Sequence, residues 1–366
     1  MPPCVAAQSE RAVQAASLDS PPALDSVIPQ LAGKRVIFIG ETHDRYDHHL
    51  NQLEVIRRLH QLDPNMAIGV EYLQQRFQPQ VDDYIAGRIT ENEFLRSAEY
   101  FKEWGYDYRL YAPIFRFARE QGIPVRALNV PSSLASDVAK LGVTGLSESQ
   151  RSLLPREMQP ADEGYKARLR AAFEEHASAQ KSAQESAKPG AFDRFVEAQL
   201  VWDEGMASHA AEYLSANPGR RMVILAGAGH IEFGSGIPTR LERRIHATYA
   251  IVLNSGVEIE PHIADYILLS QKEELPSAGI LGASLTDKEG ECRVASLSPQ
   301  GGAEKAGIKR GDVLLQVNGQ PIKSVADVHL ALWEKKPGEH VEVLVRRGHD
   351  DRHFDVELAA PPKGPN

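Results

Sequence analysis

Arg35-Val36-Ile37-Phe38-Ile39-Gly40-Glu41-Thr42-His43 decides the fold, because its plan returns far downstream as Met222-Val223-Ile224-Leu225-Ala226-Gly227-Ala228-Gly229-His230. In each copy a short, wholly apolar run, the pattern of a strand buried on both faces, stops at G-x-x-H. Two more apolar runs stop at polar residues: Met66 to Val70 leads into Glu71, and Pro124 to Leu128 leads into Asn129. Parallel strands bring their carboxyl ends to one sheet edge, which is where open α/β sheets bind ligands. Glu41, His43, Glu71, Asn129 and His230 are therefore expected around one crevice, with Asp44 and His49 as support.

Amphipathic stretches separate these strands. Leu50, Leu53, Ile56 and Leu59 recur at three-residue spacing after the first G-x-x-H, Ala112 to Glu120 stops at Gly122, and Phe192 to Leu214 stops at Asn217-Pro218-Gly219. Strand and helix thus alternate, the pattern of an α/β fold with a mainly parallel central sheet. The aromatic run from Phe101 to Tyr111 reads as core. Residues 147–187 carry no β-rich run and read as a helical insertion. The expected organisation is a leader over 1–26, an α/β domain over 27–270, a linker over 271–279 and a small, mostly β domain over 280–360. In the last, short strands are expected at Arg293 to Leu297, Val313 to Val317, His340 to Arg346 and His353 to Leu358, with one helix from Ser324 to Glu334.

The formal net charge of -9 over 366 residues argues against a general nucleic-acid binder, whose footprint would be basic. Cys4 and Cys292 make neither a disulfide framework nor a cysteine zinc site. No apolar run has the length of a membrane span, and the first residues carry no visible export signal. Cys4 reads either as an incidental cysteine or, with a start codon further upstream, as the acylated residue of a lipoprotein.

Imidazole and carboxylate on neighbouring strand ends suit a divalent cation such as manganese or zinc. They suit general acid-base chemistry equally well. The structural alternative is that they are caps and turn formers at a solvated sheet edge.

The ordered set Gly40-Glu41-Thr42-His43-Asp44 with His48-His49 and Gln52, Gly69-Val70-Glu71, Asn129, Gln199 with Trp202-Asp203, and Gly229-His230 with Gly236-Ile237-Pro238 resembles the ChaN-like proteins. These share a wider superfamily with Tiki, TraB and erythromycin esterase. The resemblance covers about residues 30–270 and implies haem binding and iron uptake at the bacterial cell envelope, in the periplasm or on a lipoprotein. Haem would be held singly or between two copies in a homodimer. The Tiki branch implies instead a metal-dependent hydrolase using Glu41, His43, Glu71 and His230 as catalytic or metal-binding residues. For haem, the insertion offers Tyr165 and His176 as ligands on one helical face, with Arg168 and its basic neighbours for the propionates. Both ring residues also suit ordinary packing.

Residues Leu297 to Gly319 resemble a bacterial-type PDZ domain, which implies capture of a partner's C-terminal peptide by strand addition. Ile280-Leu281-Gly282-Ala283 matches the carboxylate-binding loop, with Val325 and Val328 on the opposite helix. Ala283 is smaller than the usual bulky residue there. A non-catalytic interaction scaffold is the reading in which this module alone acts.

Overall fold

The computed structural model describes residues 22–178 and 189–361. Cys4 and most of the expected leader lie outside the described residues, as does part of the expected insertion. A helix, Leu24–Ala32, begins inside the stretch expected as leader and buries Val27, Ile28 and Leu31.

Six strands form the first sheet: β1 Val36–Glu41, β2 Met66–Gln74, β3 Val125–Asn129, β4 Arg221–Gly227, β5 Tyr249–Asn254 and β6 Tyr266–Leu268. Their order is β3-β2-β4-β1-β5-β6 and every pairing is parallel. The two G-x-x-H strands are neighbours, with Gly40 opposite Ala226 and Glu41 opposite Gly227, so both histidines leave the same edge one strand apart.

Strand alternation divides the core. Ile37, Ile39, Ile68, Val70, Val223 and Leu225 face one layer, packed with Leu53, Ile56 and Leu59 of helix Tyr46–Leu62. Val36, Phe38, Ala67, Met222, Ile224 and Ala226 face the other, against Ala207, Ala210 and Leu214 of the long helix Ala191–Ala216. Gly40 belongs to this packing rather than to a turn: a Cβ there would lie 2.5 Å from Leu253 Cδ2.

β2 continues past Glu71 to Gln74, with a register shift against β3 after Val70. Glu71 is therefore inside a strand, at an irregularity that turns it toward the sheet edge, rather than at a strand end. The inserted region contains helices Glu148–Arg151 and Glu163–Ser178.

The second sheet is antiparallel, in the order β12-β11-β9-β8-β7, with β10 paired to β9. Its strands are β7 Ala283–Lys288, β8 Glu291–Leu297, β9 Val313–Val317, β10 Gln320–Pro321, β11 His340–Arg347 and β12 Asp350–Glu357. Ala283, expected in the carboxylate-binding loop, opens β7, an edge strand outside the expected set. Helix Val325–Leu332 is capped by Ser324 through a capping box with Asp327.

That helix also fastens the two halves together. Leu330 and Trp333 are buried within the core of the first half, and Trp333 Nε1 donates to Asn92 Oδ1 at 2.8 Å. Arg96 pairs with Asp327, and Arg116 with Glu334 at 2.7 Å. Among the described residues no helix is long and apolar enough to cross a membrane.

Candidate functional site

At the carboxyl edge of the first sheet, His43, Glu71, Tyr72, Asn129, Trp202 and His230 line one cavity of about 300 Å³. Glu41 stands behind His43, and its Oε1 lies 2.7 Å from His43 Nδ1. With Nδ1–H donated there, Nε2 is left for the cavity. Burial opposes charge on His43, but the bond to Glu41 and the fields of Glu71 and Glu41 outweigh it, so its pKa is raised above 6.5. His49 supports from behind, with Nε2 3.1 Å from the His43 carbonyl and 3.5 Å from Glu41 Oε2.

His230 is held differently. Its Nδ1 is 2.6 Å from Asp203 Oδ1 and its Nε2 is 3.4 Å from Glu71 Oε1. Burial again opposes the charge, yet Glu71 and Asp203 together raise its pKa well above the ordinary value. Burial would raise Glu71 in turn, but the His230 charge and bond, helped by His43 and a 2.6 Å hydrogen bond from the Gly227 N–H, hold it down to about 2. Two glycines make these approaches possible. A Cβ on Gly227 would lie 3.0 Å from His43 Cε1, and one on Gly236 would lie 2.0 Å from the His230 carbonyl oxygen.

Asn129 lines the cavity while its Oδ1 accepts from the Val130 N–H at 2.9 Å. Asp44 is exposed and does not line it. Among the described residues no group of three or more His, Cys, Asp and Glu side chains is arranged to hold a metal ion. The expected set of Glu41, His43, Glu71 and His230 is drawn together, but as two imidazole-carboxylate pairs: Glu41 bonds His43, and both nitrogens of His230 face carboxylates.

Of the haem-binding residues expected in the insertion, Tyr165 and Arg168 do not line this cavity. Tyr165 is 2% exposed, packed with Val196 and Leu200, and its hydroxyl donates to Asp203 Oδ2 at 2.6 Å. Burial, with the Asp203 charge, pushes this phenol far up, against the phenolate that a ferric ligand would need. In place of the expected haem ligand, Tyr165 is a buried group that orients the carboxylate behind His230. Arg168 lies 3.6 Å from Glu232 and over the Phe233 ring, outside the cavity lining. His176 falls on helix Glu163–Ser178, but its side chain lies outside the described residues.

Sequence reasoning missed four residues. Asp203 was quoted only as part of a motif; its signal is a carboxylate on the buried stripe of a long helix, beside Val201 and Met206. Tyr72 lines the cavity with a buried hydroxyl that has no hydrogen-bond partner among the described residues. Trp104 and Tyr106, taken as core, instead wall the cavity, their ring centroids 5.0 and 4.8 Å from that of His43.

A second cavity, of about 440 Å³, lies between β7 and helix Val325–Leu332, with Ile280, Leu281, Ala283 and Val328 among its walls. Gly282, at φ +74, closes the loop against Gly301, whose Cα a Cβ there would approach to 2.9 Å. The Gly279 and Ile280 N–H groups are spent on Lys335 and Ala359 carbonyls, whereas those of Leu281 and Gly282 find no backbone acceptor among the described residues.

A parallel α/β sheet with paired histidines at its carboxyl edge, joined to a small antiparallel domain, defines the class. Residues 27–241 match the haem-binding uptake family, Tiki superfamily, ChaN, and residues 279–358 match the PDZ domain. The chain belongs to the ChaN-like haem-binding family and carries a C-terminal PDZ domain. It is similar to ChaN of Campylobacter jejuni, solved with cofacial haem, at 20% identity and a TM-score of 0.53 over 67% of this chain and 91% of that one. It is 26% identical to the chloroplastic protein RETICULATA-RELATED 5 of Arabidopsis thaliana over 59% of this chain and 30% of the relative. Through its C-terminal part it is 31% identical to the periplasmic pH-dependent serine endoprotease DegQ of Escherichia coli, over 37% of this chain and 28% of the relative. The chain thus spans less than a third of these two curated relatives.

Proposed function

We propose that the protein binds haem in the crevice through His43 and serves iron acquisition at a bacterial cell envelope, with its PDZ domain engaging the free C-terminus of a partner. The observation that carries this reading is His43 itself. Its Nδ1–H is donated to a buried carboxylate and its Nε2 faces a cavity with aromatic walls, the arrangement that fixes the tautomer and raises the basicity of a ligating histidine. Trp104, Tyr106 and Trp202 provide flat apolar surface for a porphyrin. The volume is at the small end for ligand pockets, about 300–1,000 Å³, so a porphyrin would project from the mouth. At the rim, Arg76 lies 2.9 Å from Glu103 and is the cation placed to meet a propionate. Bound haem would supply an iron that His43 would hold; the chain's own residues fix that imidazole through Glu41.

Hemin titrated into the full chain should give a shifted Soret band, and His43→Ala should weaken binding by about tenfold or more, given the 10–100-fold cost of losing ligand-shell groups. A hemin spectrum unchanged in His43→Ala but altered in Tyr165→Phe would move the ligand to the phenol. Sedimentation with and without hemin tests whether two copies share the haem. Cell fractionation tests the envelope location, which family membership and the likeness to periplasmic DegQ support.

Hydrolysis is a second reading, and one observation favours it. His230, held charged by two carboxylates, lines the same cavity as the open nitrogen of His43, an acid and a base placed around one space. Turnover of model esters or peptides that disappears in both His43→Ala and His230→Ala, without any Soret shift in the parent, would establish it in place of haem binding.

A further inference from the structure

The peptide groove and the crevice are separated by a single layer of side chains. Trp104 and Tyr106 line both cavities. On the crevice side their rings contact His43 at 5.0 and 4.8 Å between centroids. On the groove side, the neighbouring Phe101 ring stacks on His329 of the groove helix at 5.5 Å and 17°.

We propose that the PDZ groove is a composite site for a partner's free, apolar C-terminus, completed by Trp104 and Tyr106 of the ChaN-like domain, so that seating the peptide moves the wall that holds His43. This rests on the peptide-binding reading given above.

Three features argue for that occupant and that coupling. The N–H groups of Leu281 and Gly282, without a backbone acceptor among the described residues, belong to the loop beside the groove, which suits a terminal carboxylate, and Leu281, Val325, Val328 and Leu332 make its sides apolar. β7 lies at the end of its sheet and offers a free edge for strand addition. A peptide strand added there presents alternate side chains away from the PDZ core, where Trp104 and Tyr106 form the opposing surface. The wall is built to shift: it runs irregularly from the short helix Tyr100–Glu103 to the turn Tyr108–Leu110, and a Cβ on Gly105 at its centre would meet nothing within 4 Å. Trp104 is held by its side chain, Nε1 donating to Tyr111 Oη at 3.1 Å, and by its backbone N–H, which donates to the Tyr100 carbonyl at 2.9 Å. Both ligands would touch opposite faces of the same rings, and whatever factor the peptide applies to the affinity of the crevice ligand is returned to the peptide by linkage.

The test needs no haem. A decapeptide ending in valine with a free carboxyl, and its amide, are titrated into the full chain labelled with nitrogen-15 histidine. The His43 ring resonances are assigned by their loss in His43→Asn. The expected result is carboxylate-dependent binding in which the His43 signals shift with the same midpoint as the peptide isotherm. His209, whose Nδ1 lies 2.6 Å from the Leu128 carbonyl oxygen, serves as the unmoved control. Tyr106→Ala should retain the carboxylate dependence, weaken the peptide by about fivefold or more, as for a residue at an interface centre, and remove its effect on His43. Carboxylate-dependent binding that leaves His43 still would overturn the composite site while leaving the PDZ reading intact. Equal binding of the acid and the amide, or no binding, would overturn both.

Discussion

The two G-x-x-H strand ends have the same sequence plan and different hydrogen-bond surroundings. His43 takes its carboxylate from two residues earlier on its own strand and keeps one nitrogen open to the cavity. His230 takes Glu71 from β2 and Asp203 from a long helix, with Tyr165 bonded behind Asp203, and both its nitrogens are engaged. A repeated backbone thus places two imidazoles side by side, while unrelated elements decide which is open and which is locked. The locked ring is held charged; the open ring is the one placed to meet a ligand.

The comparison is broken most severely by removing what locks His230. Asp203→Ala strips a fully buried carboxylate from a charged ring and should cost about 3–5 kcal/mol in urea unfolding, the range for breaking a buried pair from one side. Glu41→Gln leaves an amide oxygen to accept from His43 and should cost only about 1 kcal/mol. Equal losses would mean that the two histidines are held alike.

Gly227→Ala comes next. Its Cβ would enter the space of His43, so a loss of about 1–3 kcal/mol is expected together with weakened hemin binding. Gly40→Ala, whose Cβ meets Leu253 and Ile231, should cost stability without moving the imidazole directly. If the Gly227 variant binds hemin normally, His43 is not the contact.

The pH dependence sharpens the contrast further. Both histidines have raised pKa values in the folded state, so their contribution is complete below about 6.5 and is lost as pH climbs through the folded values, His230 at the higher pH. Urea midpoints should therefore decline above neutrality, and His230→Gln should flatten that decline more than His43→Gln. On the acid side, the Glu71 contribution is present above 4.5 and lost as pH falls toward about 2.

Tyr165→Phe is the mildest change. It leaves Asp203 Oδ2 without its donor and should cost about 1–2 kcal/mol, with the hemin titration unaltered if His43 is the ligand.

Much of the first sheet could be read from residues alone, because a strand buried on both faces must be apolar throughout and can end in polar groups only at an edge. Whereas Glu71 reaches the cavity from inside β2, the positions of His43, Asn129 and His230 around it follow from that rule. Asp203 does not, since it arrives from a helix on another layer and nothing in its local pattern says which strand end it reaches. The aromatic run was misleading for a related reason. Tyr100, Tyr108 and Tyr111 are core, as composition implies, but Trp104 and Tyr106 sit on an irregular segment with no periodicity to assign a face. Tyr165 reads as the start of a polar helix, and its burial depends on Val196 and Leu200 from the helix packed against it.

Helix Val325–Leu332 presents Val325, Val328 and Leu332 to the groove, while Leu330 and the adjoining Trp333 are sunk in the other domain. A PDZ domain is commonly treated as an exchangeable cassette, but this one is not. Grafting in a relative's module that lacks an apolar pair at these two positions would leave a hole beside Tyr108, whose ring centroid lies 5.3 Å from that of Trp333, so any such swap must carry Leu330 and Trp333 with it.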